Sequence, residues 1–223
     1  HVNYNNAGTL EFLVDRGGNH YFIEMNPRIQ VEHTITEMCT GIDLVRSQIL
    51  VAEGYELSDE MIGIKSQEDI KQNGYAIQCR VTTEDPSNNF APDTGKITSY
   101  FSPGGFGVRL DGATSGVGSV ISPYYDSLLV KITCWDNTFK NACKKTLRAI
   151  QEIRISGVKT NIGFISNILT NPTFIEGKCH TKFIDETPEL FNLDNGEDKS
   201  TKMLKYIATK TLAESGYHKR YDE

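Results

Sequence analysis

The stretch YFIEMNPRIQVEHTITE, residues 21–37, sets Glu24, Asn26, Arg28, Gln30 and Glu32 at every second position, with Met25, Pro27, Ile29 and Val31 between them. Side chains alternate faces along a strand, so the spacing predicts an extended segment with five polar groups on one side and apolar groups on the other. On its own, that is the pattern of any half-solvated strand. The residues upstream make it more specific. AGTLEFLVDRGGNHYFIEMN, residues 7–26, joins two apolar-rich segments through Gly17-Gly18, a dipeptide suited to the positive φ angles of a two-residue hairpin turn. If Arg16 faces Asn19, then Leu13 faces Phe22, Phe12 faces Ile23, and Glu11 lands opposite Glu24. A longer loop or a bulge would alter that register.

Like charges directly across an antiparallel pair are unfavourable, so the two carboxylates either stay in water or hold a cation between them. Oxygen-only donors select a hard cation. Mg²⁺ takes one or two carboxylates, keeps several waters and completes its shell with substrate phosphates, which suits Glu11, Glu24 and the amide of Asn26. A nucleotide-phosphate site is one reading of this hairpin.

The sequence has 223 residues, 38% of them hydrophobic, and a formal net charge of −6. A chain of that length buries roughly 70% of its unfolded surface, enough for one large domain or two small ones. The acidic balance and the lack of a long Lys/Arg cluster argue against a nucleic-acid surface. No apolar run of about 18 residues and no signal-peptide layout point to a membrane. Five cysteines, at 39, 79, 134, 143 and 179, include no C-x-x-C pair, which disfavours zinc and a disulfide scaffold and suggests free thiols in the cytoplasm. Cys79 and Cys134 lie in apolar runs and read as core residues. His33 adjoins the polar face on the opposite parity and reads as structural.

A hairpin is expected over residues 8–32 and a helix over about 41–53, closed by Gly54. From about 75 to 135 the pattern is β, with YAIQCRVTT, GKITSYFS, GVRLDG and SLLVKITCW separated by Pro- and Gly-rich turns. NTFKNACKKTLRAIQEIRISG then predicts an amphipathic helix capped by Asn or Thr and closed by Gly157, and TNIGFISNILTNP a second helix stopped at Pro172. A sheet followed by helices is an α+β arrangement. The polar stretch 55–74 interrupts both patterns and reads as a boundary. LDNGEDKST, residues 193–201, reads as a linker, and MLKYIATKTL after it as a short packed helix.

Taken together, GTLEF, YFIEMNPRIQVEHTITE, GYAIQCRVTTEDP, PGGFGVR and YYDSLLVKI resemble, in order and spacing, the ATP-grasp biotin carboxylase component of biotin-dependent carboxylases. The resemblance runs over nearly the whole chain. GVKTNIGFISNIL, TKFIDETPELF and STKMLKYIA are most similar to the pyruvate carboxylases within that family. It implies the C-terminal portion of an ATP-grasp domain over residues 1–55, a biotin carboxylase C-terminal domain of antiparallel sheet and helices over 56–192, and a linker toward a following domain over 193–223.

The reaction implied is the ATP- and Mg²⁺- (or Mn²⁺-) dependent carboxylation of biotin by bicarbonate through carboxyphosphate, feeding conversion of pyruvate to oxaloacetate. Biotin would be carried covalently on another domain, the biotinyl carrier, and the family suggests a homo-oligomer formed through the biotin carboxylase domain. By the same resemblance, Glu11, Glu24 and Asn26 hold metal and nucleotide phosphates, and Arg28, Gln30 and the Val31 backbone bind bicarbonate. Glu32 would be the general base and Arg80 would stabilise the enolate on the biotin ureido oxygen. Phe106 and Arg109 match a subunit-contact region. Arg28 and Glu32 could instead form a surface ion pair were the segment helical, which Pro27 disfavours. The family's glycine-rich lid, phosphate lysines and adenine contacts match nothing here, so these residues are expected to be a fragment that alone binds MgATP poorly and turns over none. An acetyl-CoA or propionyl-CoA carboxylase, and a non-catalytic assembly module, are the alternatives.

Overall fold

The structure is a computed structural model that describes residues 3–112, 116–193 and 199–214. It opens with the expected hairpin, β1 (Thr9–Val14) against β2 (His20–Asn26), and Glu11 does pair with Glu24. The turn differs from expectation. Asp15 and Asn19 close a three-residue loop, Asp15 N donating to Asn19 O at 3.1 Å, with Gly18 at φ +82°. Val14 therefore faces His20, Leu13 faces Tyr21 and Phe12 faces Phe22, one residue out of the predicted register. A bulge between Glu11 and Phe12 takes up the extra residue and returns the two glutamates to opposition. The Asp15 carboxylate stabilises the loop by accepting from the Asn19 side-chain amide at 2.9 Å and from the Asn19 and Gly17 backbone N–H groups at 3.0 and 2.8 Å, and these bonds, that of the Asn19 side chain foremost, pull its pKa below the usual range.

The strand does not continue through Glu32 as its alternation predicts. It ends at Asn26, because Pro27 has no N–H to offer a partner strand and the Arg28 N–H folds back onto Asn26 O at 2.7 Å. After a short turn the chain enters α1 (His33–Thr40), a helix the alternation did not suggest, which Gly41 closes at φ +74°. α2 (Leu44–Ala52) follows, capped by the Asp43 side chain accepting from Arg46 N at 2.8 Å. Residues 53–74 form turns and one 3₁₀ turn at Gln67–Asp69.

β3 (Tyr75–Thr82) begins the second half, followed by the short strands β4 (Glu84–Asp85), β5 (Ala91–Pro92), β6 (Gly95–Lys96) and β7 (Ser99–Phe101). Then come β8 (Val108–Gly112), β9 (Val120–Ile121), β10 (Leu128–Asp136), α3 (Phe139–Glu152), β11 (Arg154–Ser156), α4 (Ile162–Thr170), α5 (Pro172–Ile175) and α6 (Lys199–Glu214). β10 lies between β3 and β8 in an antiparallel sheet; β4–β5, β6–β9 and β7–β11 are two-stranded pairs. One face of the large sheet is apolar. Ile77, Cys79 and Val81 of β3 and Val130, Ile132 and Cys134 of β10 join Ala142, Ala149 and Ile150 of α3 in the main core. That burial pushes the Cys79 thiol up to about 12.

The opposite face is polar and receives α1. Thr34 meets Thr133 at 2.7 Å, Gln78 donates to Thr34 Oγ1 at 2.6 Å, and Glu37 pairs with Arg109. A helix that buries Thr34 and Glu37 against a hydrogen-bonding surface leaves little apolar periodicity in its sequence, which is why α1 was not legible there.

Two further expectations shift. The helix predicted to run to Gly157 ends at Glu152, and residues 154–156 extend to pair with β7, so Gly157 at φ +100° terminates a strand. The helix expected over MLKYIATKTL is present as α6, which begins earlier, inside the stretch read as a linker, and its side chains from Met203 to Leu212 are exposed. Residues 194–198 and 215–223 of that segment lie outside the described residues. Among the described residues no helix is long and apolar enough to cross a membrane.

Candidate active site

Bulge and turn together place the polar residues of 24–32 in a bonded line. The Asn26 amide donates to Glu11 Oε1 at 3.0 Å and to Glu24 Oε1 at 3.1 Å, so both carboxylates converge on one nitrogen. Gln30 Nε2 also donates to Glu11 Oε1 at 3.0 Å, and Arg28 Nη1 reaches the Gln30 side-chain oxygen at 3.2 Å. The amide nitrogen sits where the hairpin would otherwise set two negative charges together, and rotating that amide by half a turn would present an oxygen to a cation instead. Two carboxylates and an amide oxygen suit a hard divalent ion that keeps other oxygen ligands. Among the described residues no cluster of three or more His, Cys, Asp or Glu side chains could hold a metal by itself.

Glu32 points to the large sheet. Its Oε2 accepts from Arg80 Nη2 at 2.9 Å, an ion pair in which both side chains remain about half exposed. Arg28 makes no such pair with Glu32; it folds onto its own loop, bonding Ile29 O at 3.1 Å. A cavity of about 310 Å³ opens beside this loop, lined by Arg28, Gln30, Glu32 and His33 together with Gly8 and Thr9. Residues distant in sequence, Glu11 and Arg80, thus flank one short loop.

The loop is fastened to the polar sheet face by groups that the sequence reading left out. Gln78 Nε2 and Lys131 Nζ both donate to Val31 O, at 3.1 and 3.2 Å. Gln78 shares Arg80's parity in β3, a signal that was available; Lys131 stands between apolar neighbours in LLVKITC and gave none. Behind α1, Glu37 accepts from Leu44 N at 2.7 Å and from Arg109, whose guanidinium also forks onto Asp111 at 2.9 Å through two nitrogens. These acids, Asp111 foremost, raise the Arg109 pKa further. Phe106 is largely exposed, its ring 5.5 Å from Lys145 Nζ.

Residues 78–186 match a family model of the biotin carboxylase C-terminal domain, and residues 1–60 match one of the carbamoyl-phosphate synthase L chain ATP binding domain. The pyruvate carboxylase of Bacillus subtilis is 58% identical over 211 residues, 95% of this chain. The chain belongs to the biotin carboxylase family. It spans 18% of that relative's length.

A complete pyruvate carboxylase structure from Rhizobium etli superposes with a TM-score of 0.85 at 51% identity, covering 94% of this chain and 20% of that one. The biotin carboxylase domain dimer of Hydrogenobacter thermophilus 2-oxoglutarate carboxylase, solved with MgADP, ADP and bicarbonate, superposes at 0.78 with 47% identity, covering 84% of this chain and 40% of that one. Biotin carboxylases of more than one acceptor specificity therefore share this fold. The family models meet the two structural halves, the hairpin with α1 and α2, and the sheet with α3 to α5.

Proposed function

We propose that this chain is part of the biotin carboxylase component of a pyruvate carboxylase, an ATP-dependent ligase that carboxylates a biotin held on a separate carrier domain. The observation that carries the reading is the bonded line from Glu24 through Asn26, Glu11 and Gln30 to Arg28, ending beside the Glu32–Arg80 pair. In this reading the line would put a cation-binding group, an oxyanion-binding group and an acid–base group next to one another. The exposed apolar residues of the hairpin, among them Leu10, Leu13 and Phe22, suit a surface on which the rest of an ATP-grasp domain packs. The sequence identity of 54–58% to curated pyruvate carboxylases favours pyruvate as acceptor. A homo-oligomer is part of the same proposal, and five cysteines without a disulfide favour the cytoplasm.

Glu11, Glu24 and Asn26 would hold Mg²⁺ or Mn²⁺. When bound, that ion supplies charge neutralisation for the nucleotide phosphates. Arg28 offers the planar fork of donors that a bicarbonate needs, with Gln30 and the Val31 N–H completing the cradle. Glu32 takes the bicarbonate proton as its oxyanion attacks the γ-phosphorus of ATP, releasing ADP and giving carboxyphosphate. Arg80 donates to the biotin ureido oxygen as negative charge develops there. Its present bond to Glu32 gives the arginine a counter-charge before biotin arrives.

Phosphate release from the full-length protein, with and without free biotin, tests these roles. Arg80→Ala should slow carboxyl transfer by on the order of 10² to 10³ while sparing much of the biotin-independent ATP cleavage. Glu32→Gln should depress both together. Equal losses in the Arg80 variant, with folding intact, would remove Arg80 from the biotin step, and activity independent of bicarbonate would refute the function itself.

A further inference from the structure

Val31 is the residue whose backbone the proposed bicarbonate cradle uses, and the peptide planes on both sides of it are held from outside the cradle. On the N-terminal side, Gln30 O accepts from the His33 backbone N–H at 3.2 Å and from His33 Nδ1 at 2.7 Å. A carbonyl oxygen only accepts, so Nδ1 carries the proton. On the C-terminal side, Val31 O takes the bonds from Gln78 and Lys131. In a planar trans peptide the C=O and the following N–H point opposite ways, so drawing the Gln30 carbonyl toward α1 turns the Val31 N–H away from it. Among the described residues no protein group accepts from that N–H.

The ring that does this is itself clamped. His33 is nearly buried, and its Nε2 lies 3.9 Å from Glu37 Oε2, a carboxylate fixed by Arg109 and by the N-terminus of α2. We infer that His33 is a positioning residue for the oxyanion subsite: with Gln78 and Lys131 it locks the Gln30–Val31–Glu32 backbone so that the Val31 N–H is presented to a small planar oxyanion. The histidine touches no substrate and need not change protonation. This rests on the function proposed above.

The test compares three substitutions in the full-length protein, reading the KM values for bicarbonate and MgATP separately. His33→Asn puts an amide nitrogen where Nδ1 stands and should keep the bicarbonate KM within about twofold. His33→Gln reaches instead toward the Nε2 position, and His33→Ala supplies no donor; each should raise that KM by roughly tenfold, the effect of losing one aligned hydrogen bond, with the MgATP KM unchanged. Equal behaviour of the Asn and Gln variants, or a matching rise in the MgATP KM, overturns the inference. If Glu32→Gln depresses ATP cleavage while the His33 series shows no such split, the positioning role alone fails; if Glu32→Gln instead leaves bicarbonate-dependent ATP cleavage unaltered, the underlying function fails.

Discussion

Glu11 and Glu24 face each other across the hairpin, and the Asn26 amide between them offsets part of a repulsion worth about 0.2–1 kcal/mol for directly opposed like charges. A fold under no other demand would not keep both. Glu24→Gln retains a side-chain oxygen for Asn26 and removes one charge. It should therefore raise the thermal midpoint slightly in the absence of Mg²⁺, while increasing the Mg²⁺ concentration for half-maximal ATP cleavage by roughly tenfold. Melting in EDTA beside a Mg²⁺ titration of activity would decide it. Destabilisation together with an unchanged Mg²⁺ requirement would mark Glu24 as a structural residue. The opposition was readable from the Gly17-Gly18 turn, although the path to it was not: a longer loop and a compensating bulge reach the same pair.

At the level of elements, β11 shows how one glycine directs the chain. Gly157 sits at φ +100°, and a Cβ there would lie 2.0 Å from the Lys96 carbonyl oxygen, a backbone atom that cannot swing aside. Gly54 has a similar φ of +99° and nothing within 4 Å of the added Cβ. Gly54→Ala should thus cost only the strain of the dihedral, about 1–2 kcal/mol, whereas Gly157→Ala should cost more than about 3 kcal/mol by separating β6 from the turn after β11. Denaturant unfolding of the two variants checks the contrast, and similar losses would contradict it. Helical periodicity carried the reading of α3 past its end, since Ile153 still continues the apolar spacing of Ala149 and Ile150, whereas Ile155, two residues on, has the spacing of a strand. What stops the helix is the pairing of residues 154–156 with β7, a partner more than fifty positions upstream whose claim on those N–H groups local sequence does not encode.

For the molecule as a whole, the sheet and the segment before α4 are joined by polar contacts that respond to pH. Lys159 bonds the Asp85 carboxylate, and its backbone N–H donates to Asp93 at 2.6 Å. Lys159 first, and Ser87 after it, hold the Asp85 pKa below its usual value of 3.8. Lys145 does the same for Asp136 at the end of β10. A carboxylate depressed in the folded state contributes its stability above the unfolded pKa and loses it as pH falls through the folded value. Between pH 7 and about pH 5 the midpoint should therefore stay level, then drop below about pH 4. Asp85→Asn should lower the plateau and flatten the drop, as calorimetry across that range would reveal; an unchanged acid limb would show that other carboxylates govern it.

Local chemistry by itself determined much of this protein. The apolar alternation of YAIQCRVT and LLVKITC fixed two strands and their buried face, the Asn137-Thr138 cap marks the start of α3, and Glu11, Glu24, Asn26, Gln30 and Arg28 follow from one hairpin and the loop behind it. Tertiary structure alone decided that residues 33–40 coil into α1, because the helix is held by Thr133, Gln78 and Arg109 from strands 40 to 100 positions away rather than by an apolar stripe of its own. It decided likewise that Glu32 meets Arg80 and that Val31 is gripped by Gln78 and Lys131. Periodicity reports which face of an element meets apolar surroundings; a polar face that docks on another polar face leaves no such trace, and its partners become known only when the chain has closed.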